Sequence, residues 1–132
     1  MMERLVYQSR VLWPQPPASL DAILPVSMWN NAKLEITGAL GFHAGQYIQL
    51  LEGRSAALDD LLGRLAADPR HERLEVLLRA PATARLTPEW SMARIDLARA
   101  VPETGDLLRK RDGLGLAALM ASLAHTGETR LG

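Results

Sequence analysis

Apolar and polar residues are patterned along this chain in stretches whose period changes from one to the next. Over residues 3–10 they alternate: Leu5, Tyr7 and Ser9 fall on one side, Arg4, Val6 and Gln8 on the other, which predicts a first strand. Residues 13–19 (WPQPPAS) form a loop, because Pro14, Pro16 and Pro17 remove amide donors and fix φ. A helix begins near Pro17–Ser19, with Leu20, Ile23, Leu24 and Ser27 on one side; Pro25 sits inside it and predicts a kink or a split. Residues 34–42 and 47–53 read as two strands joined by a hairpin turn at 43–46. From Ser55 to Ala67 the period becomes helical, with Leu58, Leu61, Leu62 and Leu65 at i, i+3, i+4 and i+7. Pro69 ends that helix.

Residues 73–80 form a short apolar strand, 81–89 a loop, and 90–97 a fifth strand with Trp90 and Met92 on one face and Ser91, Ala93 and Ile95 on the other. Two short helices follow, 103–111 and 116–124, broken at Gly113–Gly115, and the last eight residues read as a frayed tail. The order β-α-β-β-α-β-β predicts a ferredoxin-like α+β sheet with two helices on one face. Val6, Ile48 and Leu50 point to the opposite face, so the C-terminal helices are expected to cover it. The expected organisation is a domain over residues 1–98 and a helical cap and tail over 99–132.

Composition narrows the function. The 132 residues carry 15 basic and 15 acidic side chains, so there is no basic excess of the kind a nucleic-acid module shows. The chain has no cysteine, which removes disulfides, thiolate zinc sites and a cysteine nucleophile. No apolar run approaches the roughly 20 residues of a membrane span, and the first ten residues do not form a signal peptide. The expected location is the cytoplasm.

Several candidate chemistries fall away. His43, His71 and His125 are scattered, without metal-ligand spacing, and each reads as a surface or turn residue. Gly113-x-Gly115 follows no strand and lacks a third glycine, so it is not a dinucleotide fingerprint. No serine sits in a nucleophile elbow. Asp59–Asp60 lie on the solvent side of a helix. One constellation remains. Tyr7, Gln49 and Trp90 or Met92 point to the helix-covered face, with Asn30–Asn31 above them and Arg70–His71 at the second helix's end. A buried primary amide has two lone pairs and two N–H groups to satisfy. Beneath two asparagines, the buried tyrosine and glutamine suggest a planar, hydrogen-bonding ligand.

These residues also carry a family resemblance. L-V-Y-x-S (5–9), N-N-A (30–32), I-T-G-A-L (36–40), Q-x-L-E-G (49–53), D-x-R-H (68–71) and R-x₄-W-S-M (85–92) occur in the order and spacing of the BLUF family, blue-light sensors that use FAD. The resemblance spans residues 3–97 and implies a non-enzymatic photoreceptor with FAD between the two helices, above the sheet. It implies that Tyr7 reduces the photoexcited flavin, that Gln49 lies between that tyrosine and the ring, and that Asn31, with Asn30 beside it, bonds the ring's carbonyl and imide edge. It further implies that Arg70 and His71 line the flavin and that Trp90 and Met92 relay the signal. Transient oxidation of Tyr7 would re-pair the Gln49 amide by rotation or tautomerisation.

There are departures from the family pattern: Leu86 where it often has Phe, Gly41 where it often has an aromatic, and Pro25 in the first helix. The first two are expected to loosen packing. No cyclase or phosphodiesterase fits in the 35 residues after Leu97, which implies a short sensor acting on a downstream protein, with part of the helical cap pairing two copies. The alternatives are a small ferredoxin-like enzyme of the acylphosphatase type and a non-photoactive interaction module.

Overall fold

A computed structural model describes residues 1–12, 34–69, 71–88 and 92–125, and the backbone of 130–131. The predicted first helix with Pro25, the loop at 13–19, Asn30, Asn31, Arg70 and Trp90 lie outside the described residues. The sheet has six strands: β1 (Met2–Val11), β2 (Thr37–His43), β3 (Gln46–Arg54), β4 (His71–Pro81), β5 (Met92–Arg94) and β6 (Arg130–Leu131). Their order is β4-β1-β3-β2-β5-β6, the mixed sheet of a ferredoxin-like fold. Strand β1 pairs antiparallel with β3 and β4, whereas β2 and β5 run parallel. The described helices are α1 (Ser55–Ala66), α2 (Val101–Arg109) and α3 (Gly113–His125), with a 3-10 turn at Leu97–Ala100.

The period-2 pattern sorts the side chains onto two faces. Leu5, Tyr7, Leu40, Leu51 and Met92 pack with Leu58 and Leu61 of α1. Val6, Ala39, Ile48, Leu50 and Ala93 pack with Leu116, Ala117, Met120 and Ala124 of α3. The C-terminal helices therefore cover the outer face, as expected. The hairpin between β2 and β3 turns at Ala44–Gly45, both at positive φ (50° and 81°), which suits the two-residue turn that matches strand twist.

The structure corrects several boundaries. Strand β4 extends to 71–81 rather than 73–80. The fifth strand stops at Arg94, because Asp96 caps the following 3-10 turn by accepting the Ala98 N–H at 3.0 Å. The break between the last helices falls at 110–112, not at Gly113–Gly115. There Arg111 takes φ 54°, and the Asp112 carboxylate accepts the Gly115 N–H at 2.8 Å, starting α3 two residues before the second glycine. Gly113 is needed for close approach: a Cβ there would lie 2.8 Å from the Leu77 carbonyl oxygen of β4. The expected frayed tail instead returns as β6, pairing Met92 with Leu131 and Ala93 with Arg130.

Gly41 does not loosen the core. The space a side chain would take is filled by Leu97, whose Cδ1 lies 2.7 Å from where a Cβ would stand. Leu86 packs, half-buried, against the outer-face cluster. On that face Gln8 donates to Glu75 Oε1 and Arg111 donates to the same oxygen, both at 2.8 Å, joining β1, β4 and the turn between α2 and α3.

Thr104 of α2 is fully buried, and among the described residues its hydroxyl has no hydrogen-bond partner. An unsatisfied buried hydroxyl costs about 1–3 kcal/mol. Thr104→Val keeps the shape and removes the hydroxyl. It is expected to stabilise the protein by about 1 kcal/mol, read as a higher urea midpoint at unchanged m value.

Candidate functional site

Tyr7 and Gln49 sit directly opposite one another in the β1–β3 ladder, both on the α1 side of the sheet. Cross-strand neighbours on one face lie within side-chain reach. The Tyr7 hydroxyl donates to Gln49 Oε1, and Gln49 Nε2 donates to the Met92 sulfur at 3.4 Å. Three strands, β1, β3 and β5, thus contribute one continuous donor–acceptor chain. All three side chains are buried. The phenol's pKa is raised well above the usual tyrosine range, first by burial and then by the neighbouring Tyr47 and Asp68. Tyr7 therefore keeps its proton at any physiological pH, and that proton fixes Oε1 as the amide end facing it.

Within the described residues Gln49 uses one N–H and one lone pair, so a second N–H and a second lone pair remain. Gln49 also lines a cleft together with Tyr7, Leu40, Tyr47, Leu65, Asp68 and His71. The enclosed part holds about 20 Å³, enough for one water-sized group. Apolar walls with a few convergent polar groups fit the hydrogen-bonding edge of a flat heteroaromatic ring at its mouth.

His71 is not the surface or turn residue its scattered position suggested. It is buried at the start of β4, with Nδ1 2.6 Å from Ser9 Oγ and Nε2 2.5 Å from the Leu65 carbonyl oxygen. Its ring lies between the two tyrosines, centroids 6.4 Å from Tyr7 and 6.2 Å from Tyr47. Of the residues singled out in the sequence, the structure brings together Tyr7, Gln49, Met92 and His71. Asn30, Asn31, Arg70 and Trp90 lie outside the described residues.

Comparison with known families matches residues 2–93 to sensors of blue-light using FAD. The chain belongs to the BLUF family. It is 32% identical to the BLUF protein BlrB in its dark state, with TM-score 0.80, covering 92% of this chain and 96% of that one. It is 29% identical to BlrP1 of Klebsiella pneumoniae, solved with FMN and cyclic diGMP, with TM-score 0.71 over 95% of this chain and 35% of BlrP1. Among curated proteins it is 33% identical over 93 residues to the photoactivated adenylate cyclase subunit beta of Euglena longa. That alignment spans 69% of this chain and 11% of the cyclase subunit. As a BLUF domain the chain is a flavin-binding photoreceptor module that signals rather than catalyses.

Sequence reasoning gave no role to several residues that build this BLUF site. Glu52 is fully buried on β3. It accepts Arg4 Nε at 2.9 Å, the Leu86 N–H at 2.8 Å and the Thr87 N–H at 2.9 Å. Arg85 donates to Thr37 Oγ1 and to the Glu35 carbonyl, each at 2.8 Å, and to the Glu52 carbonyl at 2.7 Å. Together they pin the loop that leads into β5. Both stood in the quoted motifs, but a carboxylate next to a glycine carries no sign of burial in sequence. Tyr47 and Ser9 could have been found, since the period-2 count places each two residues from Gln49 or Tyr7 on the same face.

Glu52→Gln sets an amide N–H either against the Leu86 and Thr87 N–H groups or against Arg4 and the Leu86 N–H, and in both cases removes the ion pair with Arg4. A loss of about 3 kcal/mol is expected, measured by urea unfolding.

Proposed function

We propose that this chain senses blue light with FAD and signals through the Tyr7–Gln49–Met92 chain to a partner protein. The observation that carries this reading is the unbroken set of hydrogen bonds from the Tyr7 hydroxyl through Gln49 to Met92, with one edge of the amide left for a ligand. When bound, the flavin supplies the absorption of light and an excited state that takes an electron. Tyr7 is the donor that reading needs: a phenol, buried, protonated and hydrogen-bonded. Gln49 is the switch, because its two ends have opposite hydrogen-bonding character.

The consequence for β5 follows from the chemistry of sulfur. A thioether accepts a hydrogen bond and cannot donate one. With Nε2 toward Met92 the contact is favourable; with Oε1 there, two acceptors would face each other. Exchange of the amide ends therefore removes the bond that holds Met92. Strand β5 is three residues long and pairs with β2 and with β6 at two positions each, so the Gln49 contact is a sizeable share of its polar anchoring.

In the same reading Asn30, Asn31 and Arg70 line the flavin, and Trp90 shares the relay with Met92. Residues 1–98 form the sensor and 99–132 the cap through which the signal leaves. A downstream protein is the receiver, without nucleic acid or membrane, and two copies pair through the cap. Among the described residues no helix is long and apolar enough to cross a membrane, which fits the cytoplasmic location proposed here.

The test is spectroscopic. The purified protein should be yellow and release FAD, not FMN, on denaturation; absence of a visible flavin band sinks the reading. Tyr7→Phe should keep the flavin band and lose the long-lived red-shifted state after illumination, since ring volume is kept and the hydroxyl removed. A normal photocycle in that variant would place the donor elsewhere. Asn31→Ala should weaken flavin retention by about 1 kcal/mol per lost hydrogen bond, measured by equilibrium dialysis.

A further inference from the structure

Both ring nitrogens of His71 are already engaged by protein groups, and this changes what the residue can do. The Leu65 carbonyl only accepts, so Nε2, 2.5 Å away, carries the hydrogen. In the neutral ring Nδ1 is then bare and accepts the Ser9 hydroxyl, 2.6 Å away. We propose that His71 is a positioning residue of the light site: as the neutral Nε2–H tautomer it clasps β1 to the end of α1, and it gives no hydrogen bond to the flavin.

The clasp spans three elements. Leu65 lies in the last turn of α1, where carbonyls lack helical partners. Its oxygen also accepts the Asp68 N–H at 3.1 Å. The imidazole thus completes the helix end and closes the short loop that presents Asp68 to the cleft. On its other side Ser9 faces Tyr47 in the β1–β3 ladder, two pairs along from Tyr7 and Gln49 and on the same face. The ring therefore ties the floor of the cleft, which carries the switching amide, to the helix that forms its wall. Loss of either bond would let floor and wall separate without removing any group from the Tyr7–Gln49–Met92 chain.

This inference rests on the photoreceptor reading only for its effect on the light cycle; the clasp itself is measurable without flavin. With ¹⁵N-labelled imidazoles, assigned by loss of one histidine's signals in His71→Gln, the flavin-free chain should show His71 protonated at Nε2 and bare at Nδ1. Flavin loading should leave that pattern unchanged. A proton on Nδ1 in the neutral ring, or a move of the proton on loading, overturns the proposal.

The second arm compares Ser9→Ala, His71→Gln and the double variant. The glutamine amide keeps a donor for Leu65 and loses the Ser9 contact. All three should retain the flavin band and the red shift, and return to the dark state at rates changed by about two- to tenfold. The double variant should match the single ones, because each removes the same bond. Loss of flavin binding in His71→Gln but not in Ser9→Ala, or multiplicative rate changes, would mark His71 as a flavin ligand and overturn the clasp. If wild-type protein shows no red shift, the photoreceptor reading fails, and the ring nitrogens still decide the clasp.

Discussion

The buried carboxylate of Glu52 is the constraint on which the site depends. A charge removed from water is tolerated only when its lone pairs are filled. Here Arg4, two backbone N–H groups and the Thr87 hydroxyl fill them. Those partners belong to β1 and to the loop before β5. Satisfying one carboxylate therefore holds the otherwise featureless segment 84–87 against the sheet. Met92 reaches Gln49 because the chain is already pinned five residues earlier. Arg85 reinforces the arrangement by donating to the carbonyls of Glu35 and Glu52.

Against this fixed frame the Tyr7–Gln49–Met92 chain is asymmetric in its atoms. Tyr7 is a donor held protonated by burial, Met92 an acceptor without a proton, and Gln49 lies between with one end of each kind. One orientation of the amide satisfies both neighbours. The opposite orientation satisfies at most Tyr7, with the phenol oxygen accepting. A two-state element with unequal partners is what a ligand or a photon can bias, and here the inequality is located on the shortest strand of the α1–sheet core.

Much of this was legible in the chain. Alternation at Leu5–Val6–Tyr7 and Ile48–Gln49–Leu50 placed each side chain on its face, because a pleated strand admits only two directions. The leucines at 58, 61, 62 and 65 marked α1 within a residue of its end. What escaped depends on side-chain caps, single backbone conformations and remote partners that periodicity does not encode. The fifth strand ends early because Asp96 captures a backbone N–H, and a caps-or-strand choice at one aspartate is invisible to periodicity. The break at 110–112 falls on Arg111 in a left-handed conformation, where a glycine two residues on was the more obvious breaker. His71 looked exposed because its partners, Ser9 and the Leu65 carbonyl, are remote or lie in the main chain.

Strand β4, eleven residues long, is the outermost strand on its side of the sheet. A long, flat outer strand is a template onto which a second chain can add, and fibrous association begins that way. This one is not flat. Its pairing with β1 slips register between Val6 and Tyr7 and again between Gln8 and Arg10, and Arg73 takes φ 54°. Charged Glu72, Arg73 and Arg79 line it. The irregular pairing around Tyr7 and Gln8 thus also makes the sheet a poor seed for continuous strand addition. A long hydrogen-bonding rim can therefore stand beside Tyr7 and Gln49 with its tendency to add a further strand weakened.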